Sequence, residues 1–114
     1  MTTRLTPAQA QRALAKGKRQ KPETLILNAV RKYLRAVGWY VVRHQKGLGC
    51  QKGIADLSCT RGGRTVWVEI KTATGAQSDD QRDFEREIIT HGGEYHVLRS
   101  VEDAAVMSGE ELLC

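Results

Sequence analysis

The chain has 114 residues, 40% of them hydrophobic, which is enough for one domain with a modest core. It contains no run of about 18 apolar residues and no apolar segment of a secretion signal near its start, so we expect neither a membrane span nor export. The three cysteines are odd in number and lack close spacing, which favours reduced thiols in a cytoplasmic setting. A zinc site combining Cys50 or Cys59 with a histidine stays open, although no CxxC or HxxxH pair supports it.

The net charge of +5 is distributed unevenly along the chain. Residues 1–22 carry six basic and no acidic residues, residues 31–64 carry eight basic residues and one acid, and residues 79–114 carry ten acids against three bases. A basic first half suits a polyanionic partner such as nucleic acid, while a solvated basic tail on an ordinary domain is the plain alternative. We therefore divide the chain into a basic N-terminal arm, 1–22, and a single domain, 23–114.

A weak helix and a strong helix are predicted in the first third of the chain. LTPAQAQRALAKGKRQ has a helix start at Thr6 and a stop at Gly17, but its apolar content is mostly alanine. KPETLILNAVRKYLRAVG is strongly amphipathic and ends at Gly38. Its apolar stripe consists of Leu27, Val30, Leu34 and Val37. Glu23 projects from this stripe at the first turn, so the helix directs a carboxylate along its buried face.

Three strands are predicted next. In chain order they are WYVVRHQ, IADLSCT and RTVWVEIKT. The glycine-rich basic loop KGLGCQKG separates the first two, and the turn RGG joins the second and third into a hairpin. The third strand alternates, with Val66, Val68 and Ile70 on its core face and Trp67, Glu69 and Lys71 on the other.

The last third of the chain predicts a helix, a strand and a short helix. SDDQRDFEREIITHGG begins with Ser78 and Gln81 at capping-box spacing, and Phe84 and Ile88 define its buried stripe. EYHVLRS predicts the fourth strand, and SVEDAAVM predicts a short helix capped by Ser100. The whole order, (α)αβββαβα, predicts an α/β fold with a mixed central sheet flanked by helices.

Several polar side chains point where apolar ones are expected. They are Glu23, Asp56, Glu69 and Gln81, with Lys71 beside them. Carboxylates held together in an apolar setting raise each other's pKa unless a cation lies between them. An all-oxygen ligand set suits Mg²⁺ or Mn²⁺, and such an ion with a neighbouring lysine meets the needs of phosphodiester hydrolysis.

The pattern of Asp56 followed by EIK, after a helix that carries Glu23, resembles the PD-(D/E)xK nuclease superfamily. More closely, GIADL, VEIKTATGAQSDDQRDF and GGEYHVL resemble the VRR-NUC branch, the virus-type replication-repair nucleases, over residues 23–99. In this chain Ala55 stands where the superfamily name has a proline. Because that proline supplies no ligand, we expect the chemistry to survive with a less kinked strand.

The resemblance implies a restriction-endonuclease-like fold and a metal-dependent deoxyribonuclease. Asp56, Glu69 and the backbone carbonyl of Ile70 would hold Mg²⁺ or Mn²⁺, assisted by Glu23. Lys71 would position or activate the attacking water, and Gln81 would orient Lys71 or the water. It further implies a homodimer acting on branched DNA such as four-way junctions, in a bacterial or phage-infected host cell.

Plainer interpretations stay open for these residues. Asp56 could be a turn acid, Glu69 and Lys71 a surface ion pair, Gln81 only a capping residue, and Glu23 a first-turn acid favoured by the helix dipole. The basic residues around the glycine-rich loop are expected to hold DNA phosphates, against the alternative of a solvated loop. They are Arg43, Lys46 and Lys52.

The rival functions are a nucleic-acid-binding module without catalysis, a nuclease for flap, single-stranded or nonspecific DNA, and an interaction protein with a basic arm.

Overall fold

The structure is a computed structural model that describes residues 6–8 and 20–110. The helices and strands of residues 20–110 are, in chain order, α1 (Pro22–Ala36), β1 (Tyr40–Arg43), β2 (Leu57–Arg61), β3 (Arg64–Ile70), α2 (Asp79–Thr90), β4 (Glu94–Leu98) and α3 (Val101–Ser108). The predicted order of these seven elements is confirmed. Except for residues 6–8, the predicted first helix lies outside the described residues, as does most of the basic arm. Within the described residues, no helix is both long and apolar enough to cross a bilayer.

The sheet is mixed, as predicted, with strand order β1-β2-β3-β4. The first three strands are antiparallel, and β3 pairs with β4 in parallel. β2 and β3 form the predicted hairpin, in which Leu57 lies opposite Val68. Gly62 and Gly63 form its two-residue turn with φ values of +57° and +81°, which is the backbone that tight hairpin turns require.

One face of the sheet carries the core. The alternating side chains Val66, Val68 and Ile70 of β3 are fully buried, together with Leu57 and Cys59 of β2. The apolar stripe of α1 and the α3 residues Ala104 and Met107 cover this face. α1 ends as predicted, since Gly38 follows it with φ +97°.

The opposite face of the sheet is covered differently from the prediction. No residue of α2 is buried, although Phe84 and Ile88 were predicted as a buried stripe. Phe84 is half-buried, with its ring edge-to-face on Trp67 at a centroid distance of 5.3 Å. α2 makes its sheet contact along β4, so the stripe lies at the margin of the packed layer and stays partly exposed.

The polar N-terminal end of α2 is held tightly. The Ser78–Gln81 capping box is present in full. Gly53 of the glycine-rich loop has φ +72°, and a Cβ there would lie 2.0 Å from the backbone oxygen of Asp80. A glycine is therefore required for the loop before β2 to rest on this helix end.

Two strand boundaries differ from the prediction. β2 begins at Leu57, so Asp56 precedes the strand, and β3 ends at Ile70, so Lys71 follows its strand. The physical reason lies in the backbone hydrogen bonding at this end of the hairpin. The amide of Ile70 donates to the side chain of Asp56, at 2.8 Å, so a carboxylate takes the place of a main-chain acceptor.

Candidate active site

Three carboxylates from three separate elements meet at the end of the β2–β3 hairpin. Glu23, Asp56 and Glu69 each offer one oxygen, and these oxygens lie within 4.8 Å of one another. Among residues 6–8 and 20–110, this is the group of acidic, histidine or cysteine side chains that could hold a metal ion. A cavity of about 100 Å³ lies at this cluster, lined by Glu23, Asp56 and Ile70 among others, which is room for roughly three waters.

The hairpin register explains why Asp56 and Glu69 meet. Leu57 pairs with Val68, so the next step of the ladder sets residue 56 opposite residue 69. The hydrogen bond from the Ile70 amide then fixes the Asp56 carboxylate. Ala55, directly before Asp56, is fully buried. A packed alanine therefore stands where the superfamily name has a proline.

Glu69 is the most unusual side chain of the cluster. It is only 1% exposed, and its Oε2 atom is buried with no hydrogen-bond partner among the described residues. Burial, followed by the charge of Asp56, raises its pKa to about 8, although Lys46 and Lys71 oppose that change. The positive charge of the two neighbouring lysines therefore offsets only part of the effect of burial and of Asp56 on this carboxylate.

Two lysines face the three carboxylates. Lys71 Nζ lies 3.6 Å from Glu23 Oε1 and 3.9 Å from Glu69 Oε1, with its side chain 13% exposed. Lys46 Nζ lies 2.9 Å from Asp56 Oδ1 and 3.6 Å from Glu69 Oε1. Three carboxylates against two ammonium groups leave a formal charge of −1 when all are ionised. Lys46, expected to contact DNA phosphates, thus lies among the carboxylates instead.

Gln81 makes one capping contact and one contact inside the carboxylate cluster, with Glu69 rather than with Lys71. Its side-chain oxygen accepts from the Ser78 amide at 2.9 Å, which completes the capping box. Its Nε2 donates to Glu69 Oε1, also at 2.9 Å. One amide therefore joins the start of α2 to the most buried carboxylate of the site.

The loop after β3, which carries Lys71, is fixed to β4. The amide of Lys71 donates to the carbonyl of Leu98, and Arg99 donates to the carbonyls of Thr72 and Gly75. Lys71 therefore leaves the sheet on an anchored segment, which limits the positions that its ammonium group can reach.

An aromatic wall borders the site on the α2 side of the sheet. His44 stacks on Trp67 at 5.3 Å between ring centroids, and its Nε2 lies 3.0 Å from Ser58 Oγ. Burial lowers the pKa of His44, although Asp56 opposes that change, so the ring is neutral at pH 7. Trp67 continues the wall through Phe84 to Tyr95.

The three basic residues expected to bind DNA do not lie together. A cavity of about 660 Å³ is lined by Arg31, Arg43, His44, Gln45, Lys46 and Asp56. Lys52 instead lines a cavity on the α2 side with Asp80 and Asp83, where acidic groups surround it. The sequence reasoning missed Arg31, although its position four residues after Leu27 marks the edge of the buried stripe of α1.

The fold and the cluster together define an α/β domain of the restriction-endonuclease-like type, with carboxylates and a lysine gathered at one end of its central hairpin. A solved structure described as a VRR_NUC domain is similar to it, with a TM-score of 0.69 at 17% sequence identity. The similarity covers 82% of this chain and 100% of that chain. The fold implied by the sequence resemblance is thereby confirmed. No family model and no curated protein matches the sequence.

Proposed function

We propose that this protein is a metal-dependent endonuclease of the VRR-NUC branch that hydrolyses DNA phosphodiester bonds. One observation carries the proposal: Glu23, Asp56 and Glu69 present oxygens within 4.8 Å of one another beside Lys71. The VRR_NUC-like fold supports it independently. The alternative of a surface ion pair does not account for Glu69, because only 1% of this side chain is exposed. A carboxylate buried to this degree has lost its hydration and needs a compensating cation.

The residues present fit a divalent cation. The donors are oxygens, as Mg²⁺ and Mn²⁺ prefer, and the three carboxylates, once ionised, outnumber the two lysines beside them. The buried Glu69 Oε2 atom still lacks a partner among the described residues. Asp56 and Glu69, with the carbonyl of Ile70 at the wall of the small cavity, would hold the ion, and Glu23 would assist.

The chain's own groups have distinct roles in this proposal. A bound divalent ion supplies Lewis-acid activation of water and of the phosphate. Lys71, held between Glu23 and Glu69, orients the attacking water and stabilises negative charge that develops on the phosphate. Gln81 is a positioning residue, since its amide holds Glu69 in the orientation that faces Asp56.

We further propose a homodimer that acts on branched DNA such as four-way junctions. A domain this small has little room for a base-reading module, which favours recognition of DNA shape. The partly exposed apolar side chains of α2 support a surface between copies, because Phe84 and Ile88 line a cavity of about 450 Å³ and the neighbouring Ile89 is 55% exposed. Light scattering of the purified protein tests this part, and a mass of one chain would contradict it.

The central experiment incubates the protein with labelled four-way, flap, single-stranded and linear DNA, with Mn²⁺, with Mg²⁺ and with EDTA. Cleavage that requires the metal, and that Asp56→Ala and Lys71→Ala each abolish, is the expected result. Retained DNA binding by Lys71→Ala shows that the loss is catalytic. Wild-type protein that binds DNA but never cleaves it would replace this proposal with a binding module.

A further inference from the structure

A second cavity of opposite charge adjoins the carboxylate cluster. Its volume of about 660 Å³ lies within the range of ligand sites, roughly 300–1,000 Å³. Arg43 and Asp56 line both this cavity and the small one at the carboxylates, so the two are neighbours. Lys46 and Asp56 belong to the cluster already described, which leaves Arg31, not predicted from the sequence, and Arg43, expected to contact DNA phosphates, as the other cations of this cavity.

One nitrogen of the Arg31 side chain has no hydrogen-bond partner in the part of the chain that the structure describes. Its Nε atom is buried and makes no hydrogen bond within the described residues. A buried donor that is left unsatisfied destabilises the folded chain. Arg61 and Arg64 differ, since each forms an ion pair and also donates to a backbone carbonyl. The guanidinium of Arg31, a residue that lines this cavity, forms no ion pair within the described residues, which points to an anionic acceptor that comes from outside them.

The geometry points to a binding subsite for one phosphodiester group, next to the one that is cut. We propose that Arg31 and Arg43 hold this neighbouring phosphate while the cleaved bond lies at the carboxylates. Guanidinium groups suit phosphate because their fork of donors matches two phosphate oxygens. The polar side chains of Gln45 and His44 line the same cavity. Cleavage of the neighbouring bond rests on the proposed function, whereas binding of the phosphate does not.

The test compares Arg31→Ala with Arg35→Ala, because both remove an arginine from α1 and the side chain of Arg35 is exposed. Binding of a fluorescein-labelled duplex is measured in EDTA at several salt concentrations, so that no cleavage interferes. We expect Arg31→Ala to weaken binding about tenfold or more. The slope of log affinity against log salt should also fall by about 0.9, the value for one lost phosphate contact. Equal behaviour of the two variants would overturn the subsite.

A second measurement locates the phosphate. Single phosphates of the duplex are replaced, one position at a time, by neutral methylphosphonate. Replacement of a phosphate beside the cleavage point should weaken DNA binding by the wild type. The same replacement should cause no further loss of DNA affinity in Arg31→Ala. If Arg31→Ala does not fold, Arg43→Ala serves in both measurements, since its side chain is exposed. Competition by poly-glutamate as strong as that by DNA would mean an acidic-peptide site and would overturn the proposal.

Cleavage by the wild type with Mn²⁺ is scored separately, so that the two proposals can fail independently. Binding that depends on Arg31 without any cleavage would refute the nuclease and leave the subsite. Cleavage with binding indifferent to Arg31 would refute the subsite alone.

Discussion

Glu69→Gln is expected to stabilise the metal-free protein at neutral and alkaline pH. The wild-type carboxyl is buried beside Asp56, and its pKa is raised to about 8 from the usual 4.5. The folded chain therefore holds this proton more tightly than the unfolded chain does. The associated stability is fully present below about pH 4.5 and is lost as pH rises through about 8. Glutamine keeps the shape and the acceptor for Gln81 but does not titrate.

The magnitude follows from the two pKa values. A difference of about 3.5 pH units, at 1.36 kcal/mol for each, gives roughly 5 kcal/mol of folding free energy lost across this range. Small domains have about 5–15 kcal/mol in total, so the wild type should be markedly weaker at pH 8 than at pH 5. The free energy of unfolding of Glu69→Gln should show little of this decline between pH 5 and pH 8.

Urea denaturation in EDTA at pH 5, 6, 7 and 8 measures the effect, with the exposed Glu102→Gln as the control for removal of a carboxylate. Addition of Mn²⁺ should then stabilise the wild type but not Glu69→Gln, because the variant has lost a ligand. Parallel pH curves for the wild type and Glu69→Gln would refute the reasoning that a buried, under-compensated carboxylate lies at the centre of the site.

Three further predictions concern the frame of the site. Gly53→Ala should lower the free energy of unfolding in urea by about 2 kcal/mol more than Gly49→Ala does. Both positions have a positive φ, but only at Gly53 would a Cβ collide with the backbone of α2. Equal losses for the two variants would contradict this. Gln81→Glu should keep the helix cap and normal circular dichroism but slow cleavage at least tenfold, because a carboxylate then faces Glu69; full activity would contradict it. Burial raises the pKa of Cys59 to about 11, so maleimide should modify it only on unfolding; rapid reaction in the folded protein would contradict this.

The sequence predicted the elements well because their patterns are local. The stripe of α1 has the helical period, β3 alternates strictly, and Gly62 and Gly63 allow only a tight turn. The meeting of Asp56 and Glu69 followed from counting outward from that turn. These features depend on neighbours in the chain, which a sequence displays directly.

The features that escaped prediction depend on long-range packing. The half-exposed stripe of α2 could not be anticipated, because the sequence does not say that this helix lies at the margin of the sheet. The position of Lys46 depends on how the glycine-rich loop folds back, with Gly53 pressed against the start of α2. Arg31 was not predicted as a site residue, because a charged residue at the edge of an apolar stripe is expected to face solvent. The sequence does not show that its Nε atom is buried.

The Gly62–Gly63 turn makes this protein unusually sensitive to changes of chain length at an exposed point. The turn lies six residues from Glu69, a distance of about 20 Å along the strand. A single inserted residue that slips the pairing by one step would move Asp56 away from Glu69 and turn its side chain to the opposite face. Insertions should therefore be better tolerated in the loop between β1 and β2 than in this turn. Natural variation in hairpin length, rather than in the carboxylates alone, would then mark which related chains have kept the site.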